Sequence, residues 1–66
     1  MEITVNGERR EIAANATLTD LVTQLGLDPT AVAALVNDEV VERDKFDSAV
    51  LNAGDSVELV RFVPGG

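Results

Sequence analysis

Thr17-Leu18-Thr19-Asp20-Leu21-Val22-Thr23-Gln24-Leu25-Gly26 is the stretch on which the architecture turns. Leu18, Leu21, Val22 and Leu25 fall at i, i+3, i+4 and i+7, one apolar stripe, and Thr17 with Asp20 three residues on forms a capping box with Asp in the usual place of Glu. Gly26 supplies the residue that lets a helix end, and Pro29 blocks its continuation. The predicted helix, Leu18 to Leu25, is little more than two turns. A helix so short is not stable alone, so its stripe must lie on a sheet.

The strands of that sheet are legible on both sides. Upstream, Met1, Ile3 and Val5 alternate with Glu2, Thr4 and Asn6, and Asn6-Gly7 is the preferred pair for a type I′ hairpin turn. A second strand should return over Glu8 to Ile12, and the charges on Arg9, Arg10 and Glu11 place it near a wet sheet edge. Downstream, Ala31 to Val36 reads as a third strand, Asn37-Asp38 as a tight turn, and Val40-Val41 as a short fourth strand. Asp44 to Val50 is irregular, with a helical turn expected around Lys45 to Asp47. Ala53-Gly54-Asp55 turns the chain into a last strand, Ser56 to Val63. A hairpin alone offers the helix too little apolar area, so the first and last strands must be neighbours, and such a pairing is parallel. The expected class is α+β: a mixed four- to five-stranded sheet with one main helix on one face, in a single domain over residues 1–66 that ends in a flexible Gly-Gly tail. That order of elements is the β-grasp, or ubiquitin-like, order.

Composition narrows the chemistry. The 66 residues include 12 acidic and 5 basic side chains, a net charge of 5 − 12 = −7, with no histidine and no cysteine. A domain of this size has no room for a deep catalytic cavity. Without cysteine there is no disulfide, thiolate metal site or catalytic thiol, and without histidine the commonest general base is missing. An acidic chain is repelled by phosphate backbones and anionic membranes, so neither nucleic acid nor membrane is an expected partner. Met1-Glu2-Ile3-Thr4 has neither the charged nor the apolar part of a signal peptide, which makes the cytoplasm the expected location.

With the usual nucleophiles absent, the last residues stand out. Val63-Pro64-Gly65-Gly66 follows directly on the best strand. Two glycines in these two places arise by chance in roughly one chain in 200. Lacking Cβ atoms, Gly65 and Gly66 can enter a narrow channel and present a bare α-carboxylate to another protein's active site. Pro64 pre-sets φ and stiffens the exit from the strand. Three residues beyond Val63 reach at most about 10 Å, enough for a site just below a partner's surface.

Val5-Asn6-Gly7-Glu8, the leucine-striped helix, Val36-Asn37-Asp38-Glu39-Val40-Val41, Ala53-Gly54-Asp55-Ser56-Val57-Glu58-Leu59-Val60 and Gly65-Gly66 together resemble the ThiS family, the sulfur carriers of thiamine biosynthesis. The resemblance covers essentially the whole chain; it departs at Pro64, where a small residue is usual, and at Glu42-Arg43, where a proline-arginine pair is. It implies a carrier that is not itself an enzyme. An E1-like adenylyltransferase of the ThiF type would adenylate Gly66 with ATP and Mg²⁺, so the carrier binds no cofactor of its own. A cysteine desulfurase or other persulfide donor would then supply the sulfur of a Gly66 thiocarboxylate, and a thiazole synthase of the ThiG type would consume it with deoxyxylulose phosphate and dehydroglycine.

A carrier also needs a face to be gripped. If Val57 and Leu59 lie under the helix, alternation puts Val60 and Phe62 on the open side of the sheet. By the same rule Val32, Ala34 and Val36 are core, and Ala33 and Leu35 open. Leu35, Val60 and Phe62 are therefore the candidate partner-binding residues, and a one-residue slip in register would bury all three. No metal site is expected, since neither Asp38 with Glu39 nor Asp44 with Asp47 has the spacing of a calcium loop. Other readings are a carrier for molybdopterin or another pathway, a ubiquitin-like protein modifier, and a plain interaction domain. An acyl carrier, faintly suggested by Asp47-Ser48-Ala49, would be an all-helical bundle.

Overall fold

The computed structural model describes residues 1–62. Five strands and one α-helix occur in the order β1 (Glu2–Val5), β2 (Glu8–Glu11), α1 (Leu18–Gln24), β3 (Val32–Val36), β4 (Glu39–Val41) and β5 (Ser56–Arg61). They form one mixed sheet of order β2-β1-β5-β3-β4. The central pair, β1 and β5, is parallel, with Thr4 opposite Ser56 and Val5 opposite Val57; the other pairings are antiparallel. The parallel neighbours demanded by the short helix are therefore present.

α1 forms where its local signals place it. The Thr17 hydroxyl accepts from the Asp20 N–H at 3.2 Å, and the Asp20 carboxylate accepts from the Thr17 N–H at 2.9 Å, closing the capping box. At the other end Gly26 takes a φ of +72°. Its N–H donates to the Thr23 carbonyl and that of Leu27 to the Val22 carbonyl, so the last carbonyls of the helix are capped. Because the box satisfies two N–H groups that would otherwise be orphaned, Thr17→Ala should lower stability by about 1 kcal/mol, read as a fall of roughly 4–8 °C in the melting midpoint.

Three residues of the stripe are fully covered, Leu18, Leu21 and Val22 packing over Ile3, Val5, Val32, Ala34, Val57 and Leu59 of the sheet, while Leu25 at the end of the helix is half-buried. Side chains of this kind contribute about 1.5–3 kcal/mol each on burial. Two further core residues, Phe46 and Leu51, come from the connection between β4 and β5. That connection is held against the start of the helix, where the Leu18 N–H donates to the Ala49 carbonyl and the Leu51 N–H to the Ala16 carbonyl.

Some boundaries differ from the sequence reading. The second strand stops at Glu11 rather than Ile12, whose side chain turns into the core. The third begins at Val32, because Asp28-Pro29 opens a 3₁₀ turn over Pro29–Ala31. Thr30 donates to the Asp28 carboxylate from its N–H at 2.9 Å and its hydroxyl at 2.8 Å, and these bonds, the backbone one foremost, hold that carboxyl below its ordinary pKa. The cap is thus present at neutral pH and is lost as pH falls through that depressed value. The helical turn expected at Lys45 to Asp47 lies two residues earlier, over Arg43–Lys45, which leaves Phe46 free to point inward. Val36, expected in the core, is half-buried at its margin. Val63, the expected end of the last strand, lies outside the described residues.

Candidate functional surface and tail base

The two hairpin turns are built to organise β5. Asn6 and Gly7 take φ of +50° and +83°, and Asn37 and Asp38 take +51° and +69°, as two-residue I′ turns require. Each asparagine side chain then reaches the last strand. Asn6 Oδ1 accepts from the Leu59 N–H at 2.9 Å and its Nδ2 donates to the Leu59 carbonyl at 3.3 Å, continuing the β1–β5 ladder after β1 has turned away. Asn37 Oδ1 accepts from the Ser56 N–H and its Nδ2 donates to Asp55, both at 3.0 Å. β5 is held at its start and its middle, and the Phe62 N–H donates to the Ala31 carbonyl at 2.9 Å just beyond its end. The base of the tail is therefore a fixed point. Val63, Pro64, Gly65 and Gly66 themselves lie outside the described residues.

Register decides which side chains surround that base. Residues directly opposite in a sheet share a face. Ala34 pairs with Leu59 on the helix side, so Ala33 with Val60, and Leu35 with Glu58, fall on the open side. Val60 is 53% exposed and Phe62 58%, while Leu35 is half-buried between its neighbours. Of the three candidate residues, Leu35 and Val60 are thus on the expected face, whereas Phe62 follows β5 outside the paired register and borders depressions both with Ala33 and Val40 and with Gly26 and Leu27 at the end of α1. A fourth, Val40, was not among them: it stands opposite Leu35 on β4 and is 72% exposed, the highest value of any large apolar side chain described. Its signal was the Val40-Val41 pair, in which only one side chain can face the core. Phe62, Ala33 and Val40 line a depression of about 290 Å³ beside the end of β4. Glu58, opposite Leu35, is exposed on this face, and Glu42 and Arg43 both border the depression, so the surface suits a partner with an apolar centre and a charged rim.

Other sequence candidates are placed elsewhere. Asp47 accepts from the Thr19 hydroxyl at 2.6 Å, a structural contact. Among the described residues no three acidic side chains gather as a metal site, and no helix is long and apolar enough to cross a membrane. Ser48 follows a 3₁₀ turn, its hydroxyl donating to the Lys45 carbonyl, and does not begin a helix. With a five-stranded sheet and a seven-residue helix, the acyl-carrier reading is excluded.

The ThiS family model matches residues 3–66, a span that includes both final glycines. This chain belongs to the ThiS family. Its β-grasp fold matches the crystal structure of the ThiS thiamine biosynthesis protein of Geobacter metallireducens with a TM-score of 0.85 at 35% identity, over 100% of both chains. An NMR structure of a thiamine biosynthesis protein from that organism matches with a TM-score of 0.82, covering 100% of this chain and 88% of the other. The sulfur carrier protein ThiS of Escherichia coli K12 is 27% identical over the full length of both chains. Two thiazole synthases also align with all 66 residues of this ThiS-family chain, that of Paramagnetospirillum magneticum at 36% and that of Magnetococcus marinus at 39% identity. The chain spans 20% of the length of each of these synthases.

Proposed function

We propose that this protein is a sulfur carrier for thiazole formation in thiamine biosynthesis, with the α-carboxylate of Gly66 as the atom group that is loaded. The observation that carries the reading is the family match over residues 3–66, which takes in Gly65 and Gly66 together with the sheet that leads to them. An α-carboxyl is ionised at neutral pH, its ordinary pKa being about 3.5, so it needs no base from the carrier. In the activating enzyme that carboxylate attacks the α-phosphorus of ATP, and pyrophosphate leaves. The terminal sulfur of a persulfide then displaces AMP from the acyl carbon to give an acyl disulfide, and a second thiol attacks the donor's sulfur, forming a new disulfide and releasing the Gly66 thiocarboxylate. The carrier supplies reach, a bare backbone and a docking face, and it is consumed and regenerated as a co-substrate in the cytoplasm. The likeness to thiazole synthases favours a thiazole synthase as acceptor over molybdopterin formation.

Intact mass before and after incubation with ATP, Mg²⁺, a ThiF-type enzyme and a persulfide donor tests this. One oxygen of Gly66 replaced by sulfur supports the reading; a mass unchanged under all these conditions leaves a plain interaction domain.

The open face should be the grip for these encounters. Val60→Glu or Phe62→Glu places a charge in the apolar ground at a site where no core contact is lost. Affinity for the activating enzyme should fall by about 2 kcal/mol, roughly thirtyfold in Kd, with the melting midpoint nearly unchanged. Unaltered affinity in both variants would move the docking site off this face.

A further inference from the structure

Cations are scarce in this chain, and two of the five meet at one place. Arg10 is opposite Ile3 on β2, and Arg61 is opposite Val32 on β5. Ile3 and Val32 are core residues, so register assigns both arginines to the helix side of the sheet, the reverse of the Val60 face. Both line a depression of about 360 Å³ between the Asn6-Gly7 turn and the end of α1, with Val5, Leu25 and Leu27 as its apolar walls. It lies at the end of the sheet where β5 leads into the tail.

Among the described residues the only ion pair joins the Met1 amino group to Glu11, so neither arginine has an acidic group within 4.0 Å. Glu8 is the one acidic side chain in the depression, whose formal charge is 2 − 1 = +1 in a molecule of −7. The carbonyls at the end of α1, which would repel an anion, are already capped by Gly26 and Leu27. Arg43, by contrast, donates to the Thr30 carbonyl.

We infer that the Arg10–Arg61 depression receives a carboxylate side chain of the protein that activates the tail. The guanidinium fork matches a carboxylate, and the leucine walls match the methylenes of a glutamate. An acidic group is repelled by most of this surface and attracted at this one, so the contact orients the carrier: apolar on one side of the tail base, ionic on the other.

The inference rests on the carrier reading above. Its test is the rate of ATP–pyrophosphate exchange by the ThiF-type enzyme against carrier concentration, for wild type, Arg10→Ala, Arg61→Ala, Arg61→Lys and Lys45→Ala. The last makes the same charge change on an exposed side chain away from the depression. Arg10→Ala and Arg61→Ala should each raise KM on the order of tenfold with kcat kept, because Gly66 still reaches the site, and should flatten the salt dependence of KM. Arg61→Lys should fall between, and Lys45→Ala should match wild type. Wild type active with Arg10→Ala and Arg61→Ala equal to Lys45→Ala would overturn the inference alone; wild type that is never adenylated would remove the carrier reading and the inference with it.

Discussion

A chain shortened by Gly66 alone is expected to melt like the full one and to take up no measurable sulfur. The core is built from side chains between Ile3 and Leu59, and Gly66 has no side chain to bury. The shortened chain still ends in an ionised carboxylate, that of Gly65. What it lacks is one residue of reach, at most about 3.5 Å, from a base pinned at Phe62. A reacting group misplaced by 1 Å can cost on the order of a hundredfold in rate, so loss of a whole residue should reduce loading by at least ~100-fold. Incubating both chains with ATP, activating enzyme and persulfide donor and reading intact mass decides it. Equal loading would mean that the carboxylate need not sit at a fixed distance from the sheet, and the docking argument would go with it.

Phe46→Ala should have the largest effect on stability. Phe46 is 2% exposed and closes the core between α1 and the β4–β5 connection, where its carbonyl also accepts from the Thr19 N–H. Truncating a buried phenylalanine costs about 3–5 kcal/mol, while a domain of this size has about 3–10 kcal/mol in total. The variant should lose most of its urea resistance and be substantially unfolded at 37 °C. Phe62→Ala is the internal comparison: the same atoms are removed from a 58% exposed site, and the midpoint should move by no more than about 0.5 kcal/mol. A small effect at Phe46 would mean that the connection can collapse into the cavity.

The two phenylalanines show where sequence reasoning succeeds and where it stops. Phe62 directly follows β5, whose alternation is regular, so the sequence places it opposite in face to Val57 and Leu59, which lie five and three positions earlier. Phe46 lies in an irregular segment with no period, and its inward direction depends on a 3₁₀ turn placed over Arg43–Lys45. The 3₁₀ turn at Pro29–Ala31 did carry a local signal, Asp28 capping a proline at the first position, hidden under the apolar run that continues into β3. Val40 joined the open face only because β4 pairs with Leu35 rather than Ala34 at that position.

What the sequence determined by itself were the features whose causes lie within a few residues: the box Thr17–Asp20, the glycine stop at 26, the positive-φ pairs at 6–7 and 37–38, the alternation of β5, and the tail glycines. From these the order of elements, and with it the β-grasp, followed. Contacts between residues far apart in the chain were left to the tertiary structure. Asn6 bonds Leu59 across 53 positions, and Arg10 meets Arg61 in one depression across 51. Such pairings depend on strand register and on how the sheet folds over its helix, and register is a property of the assembled core: a slip of one residue changes no local propensity, yet it would turn Val57 and Leu59 out and Val60 and Phe62 in.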